Sequence, residues 1–378
     1  MPAVKSVTIV GAGFAGCATA ILLAQAGVEV DLIDQNPEIV RRGSGITLQG
    51  NALRVLRQLG VWEEILALGY PFNTVGFRAP DPAGTLLAEV PDARTGGPDL
   101  PATLGMPRPA LASSLLRRAR DVGVRVQLGV KYLGFTQQSS GVETLLDNGS
   151  TVRSDLLVGA DGVRSHVRHD LGVDSAIHPI GMGIWRMFLP RPSSIDHTDL
   201  IYGGPSYIAG YCPTSEDTLY AYIVEPFDAA SADLGHEAGV ARMLELSRAY
   251  HGPWDDLRPF ITDDRYLNYA VFESHVVEQE WGNGRVVIMG DAAHSCPPTL
   301  AQGAAQALED AAVLAELVLQ ADEFTAQLVH DYSERRRDRA KAVVTASVQL
   351  CDWLIKGDTH ADVPGLLRQI STLVGEPA

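Results

Sequence analysis

Glycines and acids at the ends of apolar runs are the residues in this chain best placed to do chemistry. The opening stretch holds Gly11-Ala-Gly13-Phe-Ala15-Gly16 between a strand-like run and an apolar helix, and Asp34 ends the following strand. Glycine at 11 permits a tight turn, at 13 it lets the backbone approach a pyrophosphate, and at 16 it lets helix pack closely on strand. A helix starting there presents unpaired N–H groups and the positive end of its dipole to an anion. Asp34 lies at a suitable distance to accept hydrogen bonds from ribose hydroxyls. Binding of a dinucleotide by Gly11, Gly13, Ala15, Gly16 and Asp34 is the expected chemistry. Two further glycine–acid turns follow buried strands, Gly159-Ala-Asp161-Gly162 and Gly290-Asp291. The second continues through His294 and Pro298 to Gly303-Ala304-Ala305 and the acidic pair Glu309-Asp310.

These turns need elements to hold them. Residues 7–10 predict a buried strand, 14–26 a helix and 28–33 a second parallel strand, together a βαβ unit. Helical spacing returns from Asn51 through Leu53, Leu56, Leu59 and Ile65. Between about residues 71 and 107, proline, glycine and alternating pieces such as TVGFRA and TLLAEV predict antiparallel strands. A helix over 110–122 leads to a predicted strand pair, VRVQLGV with GVETLL, and DNGS at Asp147 predicts a hairpin turn. Residues 177–269 form a second β-rich region with one helix, and the C-terminus is helical from Gly303 and again from Thr325. The run ERRRDRAK reads as the solvated face of that last helix. The fold class is α/β.

Composition narrows the function. The chain has 378 residues, 46% apolar and 20% charged, enough to bury a real core. A net charge of −16 argues against nucleic acid or an anionic membrane surface as partner. Cys17, Cys212, Cys296 and Cys351 form no CxxC pair, which fits a reducing compartment, small buried apolar roles and no structural metal. The first apolar run is broken by Gly11, Gly13 and Gly16 and has one lysine, Lys5, so it does not read as a secretory signal. No apolar run is long enough to span a membrane. The expected location is cytoplasmic. Motifs of serine hydrolases and zinc proteases, GxSxG and HExxH, are absent from the sequence.

Together the opening βαβ, RGSGITLQGNALRVLRQLG, the arginine of MPRPALASSLLRRA, GADGVRSHVR and GDAAHSCPPTLAQGAAQALEDAAVLA resemble the FAD-dependent aromatic hydroxylases. These are the single-component flavoprotein monooxygenases related to para-hydroxybenzoate hydroxylase. The resemblance implies a Rossmann-like FAD-binding domain with an inserted β-sheet substrate domain and C-terminal helices. Residues 1–70, 101–176 and 270–335 would form the first, 71–100 and 177–269 the second, and 336–378 a C-terminal helical segment. It implies FAD as cofactor, with Asp34 holding the adenosine ribose. Arg41 or Arg42, ahead of Gly43 and Gly45, would lie near the flavin's phosphate and ribityl side. Arg108 would contact the ribityl–phosphate region, Asp161 would serve the pyrophosphate and pyridine nucleotide, and Asp291 would accept from a ribityl hydroxyl. Pro298 would face the reaction site. The N–H groups of Gly303, Ala304 and Ala305 would point at the pyrimidine edge of the flavin. Three positions depart from the family pattern: Ala301 stands for the usual glycine, Ala305 for a frequent asparagine, and Asp34-Gln35 for Glu-Arg.

The implied reaction uses NADPH or NADH and O2 to hydroxylate a small aromatic or heteroaromatic substrate through a flavin C4a-hydroperoxide. No second glycine-rich βαβ unit is present, so the nicotinamide cofactor would bind transiently. On the substrate side, Arg186 of the Trp185-Arg186 pair either faces a substrate anion or braces the domain interface. Tyr202, Tyr207, Tyr211, Tyr220 and Tyr222 either line a pocket or pack the sheet; Arg186, Tyr211 and Pro298 are the substrate-side candidates. No catalytic base stands out, and His294 reads as structural. A reductase, oxidase or halogenase-like flavoprotein is the alternative, although the halogenase signature WxWxIP is missing; a flavin-binding scaffold without turnover is another. The protein is expected as a monomer or as a homodimer paired through its C-terminal helices.

Overall fold

A computed structural model of the chain describes residues 4–38, 43–173 and 175–378. The expected contacts of Arg41 and Arg42 lie outside the described residues. The opening strand Ser6–Val10 sits inside a six-stranded sheet, parallel to Glu29–Asp34 on one side and to Leu156–Gly159 on the other. Val286–Ile288 adds parallel to Leu156–Gly159, Arg125–Leu128 adds parallel to Glu29–Asp34, and a short antiparallel edge strand, Gly282–Asn283, completes the sheet. The strands are continuous Val, Ile and Leu runs because helices cover both faces. Ile9, Leu32, Leu156, Leu157, Val158 and Val287 are all 0% exposed.

Parallel pairing places the carboxyl ends of these strands on one edge. Val10 pairs with both Ile33 and Gly159, and Gly159 pairs with Ile288. All three glycine–acid turns therefore leave the sheet side by side, the position at which open α/β sheets bind ligands. Backbone bonds lace them together: Gly11 N–H to Ile33 O at 2.7 Å, Ala160 N–H to Val10 O at 2.8 Å and Met289 N–H to Gly159 O at 3.0 Å.

The second layer is an eight-stranded sheet built from 74–91, 178–226, 267–276 and 294–295. It is antiparallel except where Thr198–Tyr202 runs parallel to Thr74–Arg78. The strand Leu267–Val276 runs across residue 270, the boundary expected between the two domains. One expected pairing is corrected. Arg125–Leu128 joins the parallel sheet, and its place in the hairpin is taken by Tyr132–Gln138, which pairs with Gly141–Leu146. The turn at Asp147 does close a hairpin, Gly141–Leu146 with Thr151–Ser154, with Gly149 at φ 81°.

Three helices close the chain: Gly303–Gln320, Ala326–Lys356 and Val363–Gly375. Gly357, at φ 60°, ends the middle one in the left-handed conformation that glycine adopts without strain. The reading of ERRRDRAK as a solvated face is overturned, because Arg336 is 0% exposed and Arg339 only 9%. Among the described residues no helix is long and apolar enough to cross a membrane, and no group of three or more His, Cys, Asp or Glu is placed to hold a metal.

On the face of the large sheet that packs on residues 236–261, buried Asp199 gathers cations. Arg78 Nε donates to it at 2.5 Å and the Tyr211 hydroxyl also donates to it. His197 Nε2 lies 3.1 Å from Asp199 Oδ1, off-line for a hydrogen bond but within ion-pair reach, and its Nδ1 is 2.6 Å from Asp196. The contact with Asp199, then that with Asp196, raises the His197 pKa from 6.5 to about 9 against the opposing effect of burial. A raised histidine pKa contributes stability below pH 6.5 that is lost as pH climbs through about 9. His197→Gln should therefore flatten the decline of the urea midpoint across that window, lowering the midpoint on the acid side and changing it little above about pH 9. A wild-type-like slope in the variant would show that this pair does not couple to folding.

Candidate active site

One cavity of about 2010 Å³ lies between the carboxyl edge of the parallel sheet and the inner face of the large sheet. Single-ligand pockets usually hold ~300–1,000 Å³, so this cavity has room for two ligands. Gly11, Gly13, Ala15, Asp34, Gly45, Arg108, Asp161, Asp291, Pro298, Gly303 and Ala304 line it, together with Arg186. The structure thus brings together nearly every residue singled out from the sequence. Gly16 and Ala305 lie beneath the wall, buried, and Tyr211 is elsewhere.

The glycines divide by what surrounds them. A Cβ on Gly11, at φ 106°, would meet Ala160 O at 2.2 Å, so this glycine lets the first two turns touch. A Cβ on Gly16 would lie 1.9 Å from Gly11 O. A Cβ on Gly13 would meet nothing within 4 Å. Gly13 begins the helix Phe14–Gln25, which has no side-chain cap and no acid in its first turn. Its N–H groups therefore face an open void suited to an anion. Helix Gly303–Gln320 begins at the cavity in the same way, uncapped and without an acid in its first turn. A second cradle is thus available for negative charge.

The acids behave differently from one another. Asp34 accepts from Ala12 N–H at 2.8 Å and from Asn36, tying the second strand to the first turn while still lining the cavity. The Asp161 carboxylate is engaged by its own loop, accepting from Ser165 Oγ, His166 N–H and Val167 N–H. The exposed Asp291 side chain lines the cavity, and its carboxylate accepts no protein hydrogen bond among the described residues. Burial raises its pKa, Asp310 adds to the rise, and His294 and Arg108 oppose it. Such a carboxylate suits a ligand that brings hydroxyl donors.

Two networks hold the third turn. Arg168 donates to Ala292 O and Val163 O, both at 2.8 Å, stapling the second turn to the third. Behind it Asp310 accepts from Gly290 N–H at 2.8 Å, from His294 Nε2 at 2.7 Å and from Arg336 Nε at 2.7 Å. Glu309 pairs with Arg336 and Arg339 and accepts from Asn51. His294 is structural, as its place in the motif suggested. His275 supports the turn from the other side, its Nε2 2.9 Å from Asp291 O, and burial lowers its pKa to about 4, keeping the ring neutral.

Opposite these turns stands the sheet wall. Cross-strand partners share a face, and the register pairs Arg186 with Tyr222, Cys212 with Tyr220, and Ile184 with Val224. That face lines the cavity, with Tyr202 and Tyr207 beside it. Tyr211 pairs with Ala221 and is 1% exposed on the opposite face, against Trp254 and bonded to Asp199. Its expected substrate-side role is corrected: one residue of register sends its ring away from the cavity. Among the described residues Arg186 has no carboxylate partner; Nη2 donates to Asn268 Oδ1 at 2.7 Å and buried Nε has no acceptor. Burial depresses its pKa, and Arg108 contributes. Arg108 itself projects into the cavity, its guanidinium 5.4 Å above the Phe14 ring. Gly45 is needed here because a Cβ would overlap the Tyr220 ring at 1.9 Å.

Sequence reading missed the C-terminal wall. Leu350, Trp353, Leu354, Leu367 and Ile370 all line the cavity. Their i, i+3, i+4 spacing marked an apolar stripe without saying what it faced.

Ala301 is the one non-glycine residue among those described with positive φ, at 53°. It occupies the family's usual glycine position, on the loop leading into helix Gly303–Gln320. A left-handed alanine costs roughly 1–2 kcal/mol, partly offset by the smaller entropy of the unfolded chain. Ala301→Gly should raise the stability of the protein by about 0.5 kcal/mol in urea unfolding, whereas a loss would mean the methyl group packs productively. Arg336→Met leaves Asp310 and Glu309 underpaired in the interior and should cost about 3 kcal/mol or more in the same assay. A cost below about 1 kcal/mol, the range of exposed pairs, would assign the network little weight.

The family model described as FAD binding domain matches residues 5–347. The chain is 31% identical to 2-heptyl-3-hydroxy-4(1H)-quinolone synthase of Pseudomonas aeruginosa over 82% of its own length and 80% of that protein. The structure of Klebsiella pneumoniae HpxO complexed with FAD and uric acid superposes with a TM-score of 0.83 at 22% identity, covering 98% of this chain and 92% of that one. The tetrameric form of 2-methyl-3-hydroxypyridine-5-carboxylic acid oxygenase gives a TM-score of 0.77 at 25% identity, with 97% of each chain covered.

Proposed function

The chain belongs to the FAD-binding-domain family of flavoprotein monooxygenases, and from that premise we propose that it hydroxylates a small aromatic or heteroaromatic ring with NAD(P)H and O2. The observation that carries this reading is a single cavity in which two uncapped helix starts and the Asp291 carboxylate oppose a wall bearing Arg186 and four tyrosines. The open space at Gly13 and the free Asp291 carboxylate fit a diphosphate and a polyhydroxylated chain, the two parts that join the rings of FAD.

Gly11 and Gly13 with the start of helix Phe14–Gln25 would hold the pyrophosphate, Asp34 the adenosine ribose, and Asp291 the ribityl hydroxyls. Arg108 would add positive charge on the phosphate side. When bound, FAD supplies the redox chemistry: electrons from NAD(P)H activate dioxygen, one atom entering the ring and the other leaving as water. The N–H groups of Gly303 and Ala304, at a helix positive end, would stabilise negative charge on the flavin's pyrimidine edge. Pro298 and the apolar wall exclude water beside the reaction site. Arg186, charged and short of one acceptor, would orient an anionic or hydroxylated ring edge. Its Asn268 contact lies within the sheet, which favours this role over bracing the interface. The relatives' names extend the range of rings from urate to pyridines and quinolones.

Protein incubated with FAD and freed of excess should be yellow, and Asp291→Asn should weaken FAD binding about tenfold or more by equilibrium dialysis, the loss of a charge-assisted bond. Stopped-flow mixing with NADH or NADPH should show flavin reduction accelerated by ring compounds, and oxygen-18 from O2 should appear in the product. Flavin reduction with no labelled ring product from any candidate would favour a reductase or oxidase.

A further inference from the structure

The wall that the C-terminal helices contribute is apolar: Leu350 and Ile370 sit in the packed seam between the helices, with Trp353 and Leu367 against it, and all four also line the cavity. Leu350, Trp353 and Leu354 recur at helical spacing on Ala326–Lys356, and Leu367 and Ile370 do so on Val363–Gly375. Trp353, Leu354 and Leu367 are only half-buried, and the surface left open faces the cavity. The sheet face that meets them carries Ile184, Leu200, Ile208 and Phe272, which cluster with Leu354. Arg186 is the charged group on that sheet face, and Asp358 and Arg368 are exposed at the helical rim. The cavity is thus polar beside Arg186 and Asp291, apolar along the helices, and continuous between the two.

A compact, fully polar ring would leave the helical wall unsatisfied. We propose that the substrate ring carries an aliphatic chain of several carbons, and that the chain lies between the C-terminal helices and the sheet while the ring meets Arg186. The proposal rests on the ring-hydroxylation reading of the same cavity. Each buried methylene adds apolar contact and removes area from water, whereas a charge along the apolar wall, short of Asp358 and Arg368 at the rim, would be stranded from any partner. The helix pair joined at Gly357 therefore selects for a neutral, flexible substituent.

Isothermal titration of the FAD-loaded protein with 2-alkyl-4(1H)-quinolones, from methyl through pentyl and heptyl to nonyl, tests this directly. Affinity should climb about two- to fourfold per methylene until the chain fills the compartment. Trp353→Ala and Leu367→Ser should each flatten that dependence. Should either variant misfold, the wild-type series alone still decides. An affinity that is flat across the series, or highest for the methyl compound, overturns the proposal. Mass spectrometry of the same mixtures after adding NAD(P)H separates the two readings. Ring oxygenation without chain dependence removes the aliphatic site and keeps the monooxygenase. Chain dependence without oxygenation of any ring does the reverse.

Discussion

Asp310 is the point from which the site is hung. Its carboxylate is fully buried yet accepts from Gly290 N–H, His294 and Arg336. Burial alone would raise its pKa; His294 and Arg336 overcome that and hold it below the ordinary carboxylate value. An unpaired buried carboxylate would be untenable. The three partners come from three places: Gly290 just past a parallel strand, His294 in the short strand 294–295 of the large sheet, and Arg336 on a helix 26 residues beyond Asp310. Fixing them to one atom pair fixes the third turn against helix Gly303–Gln320. The start of that helix and the Asp291 carboxylate then face the same void.

The second organising feature is the pairing of parallel strands in register. Because Val10, Ile33, Gly159 and Ile288 lie alongside one another, the turns that follow must emerge together. The close approach of Gly11 to Ala160, and of Gly290 to Ala15, shows how little room separates them. Glycine is required at 11 by a neighbouring turn and at 13 by the space left for a ligand, two demands that one motif spelling hides. Ala301 shows the opposite economy: a residue with a side chain holds a left-handed conformation because the structure on both sides determines it.

Polarity is graded across the cavity. Positive groups and open amides crowd the edge of the parallel sheet, where negative charge would be bound and formed. Tyrosines and Arg186 stand across from them, and aliphatic side chains from the last two helices close the far wall. The chain's terminal segment is therefore part of the site, and the large sheet serves as a wall on one face and as a packing surface on the other. Asp199, His197, Arg78 and Tyr211 show that this other face has its own buried charge balance.

Local pattern in the sequence determined the α/β class, the opening βαβ unit, the three glycine–acid turns and the residues grouped around them. Glycine spacing, strand composition and helical period act within a few residues, so one chain read alone carries them. The cofactor assignment rests on a resemblance in motifs spread over most of the chain, and the family match spans residues 5–347. Tertiary structure alone decided which face of a strand meets the cavity: Tyr211 and Tyr220 have the same composition context and opposite orientations, settled by cross-strand register. It also decided that Arg336 and Arg339 are buried, since a charged helix face looks solvated until the acids of another helix are brought against it. Asp161 could be seen as an acid in a turn, but its commitment to its own loop could not. Register and long-range charge pairing depend on contacts between segments far apart in the chain, and no local pattern encodes which contacts those will be.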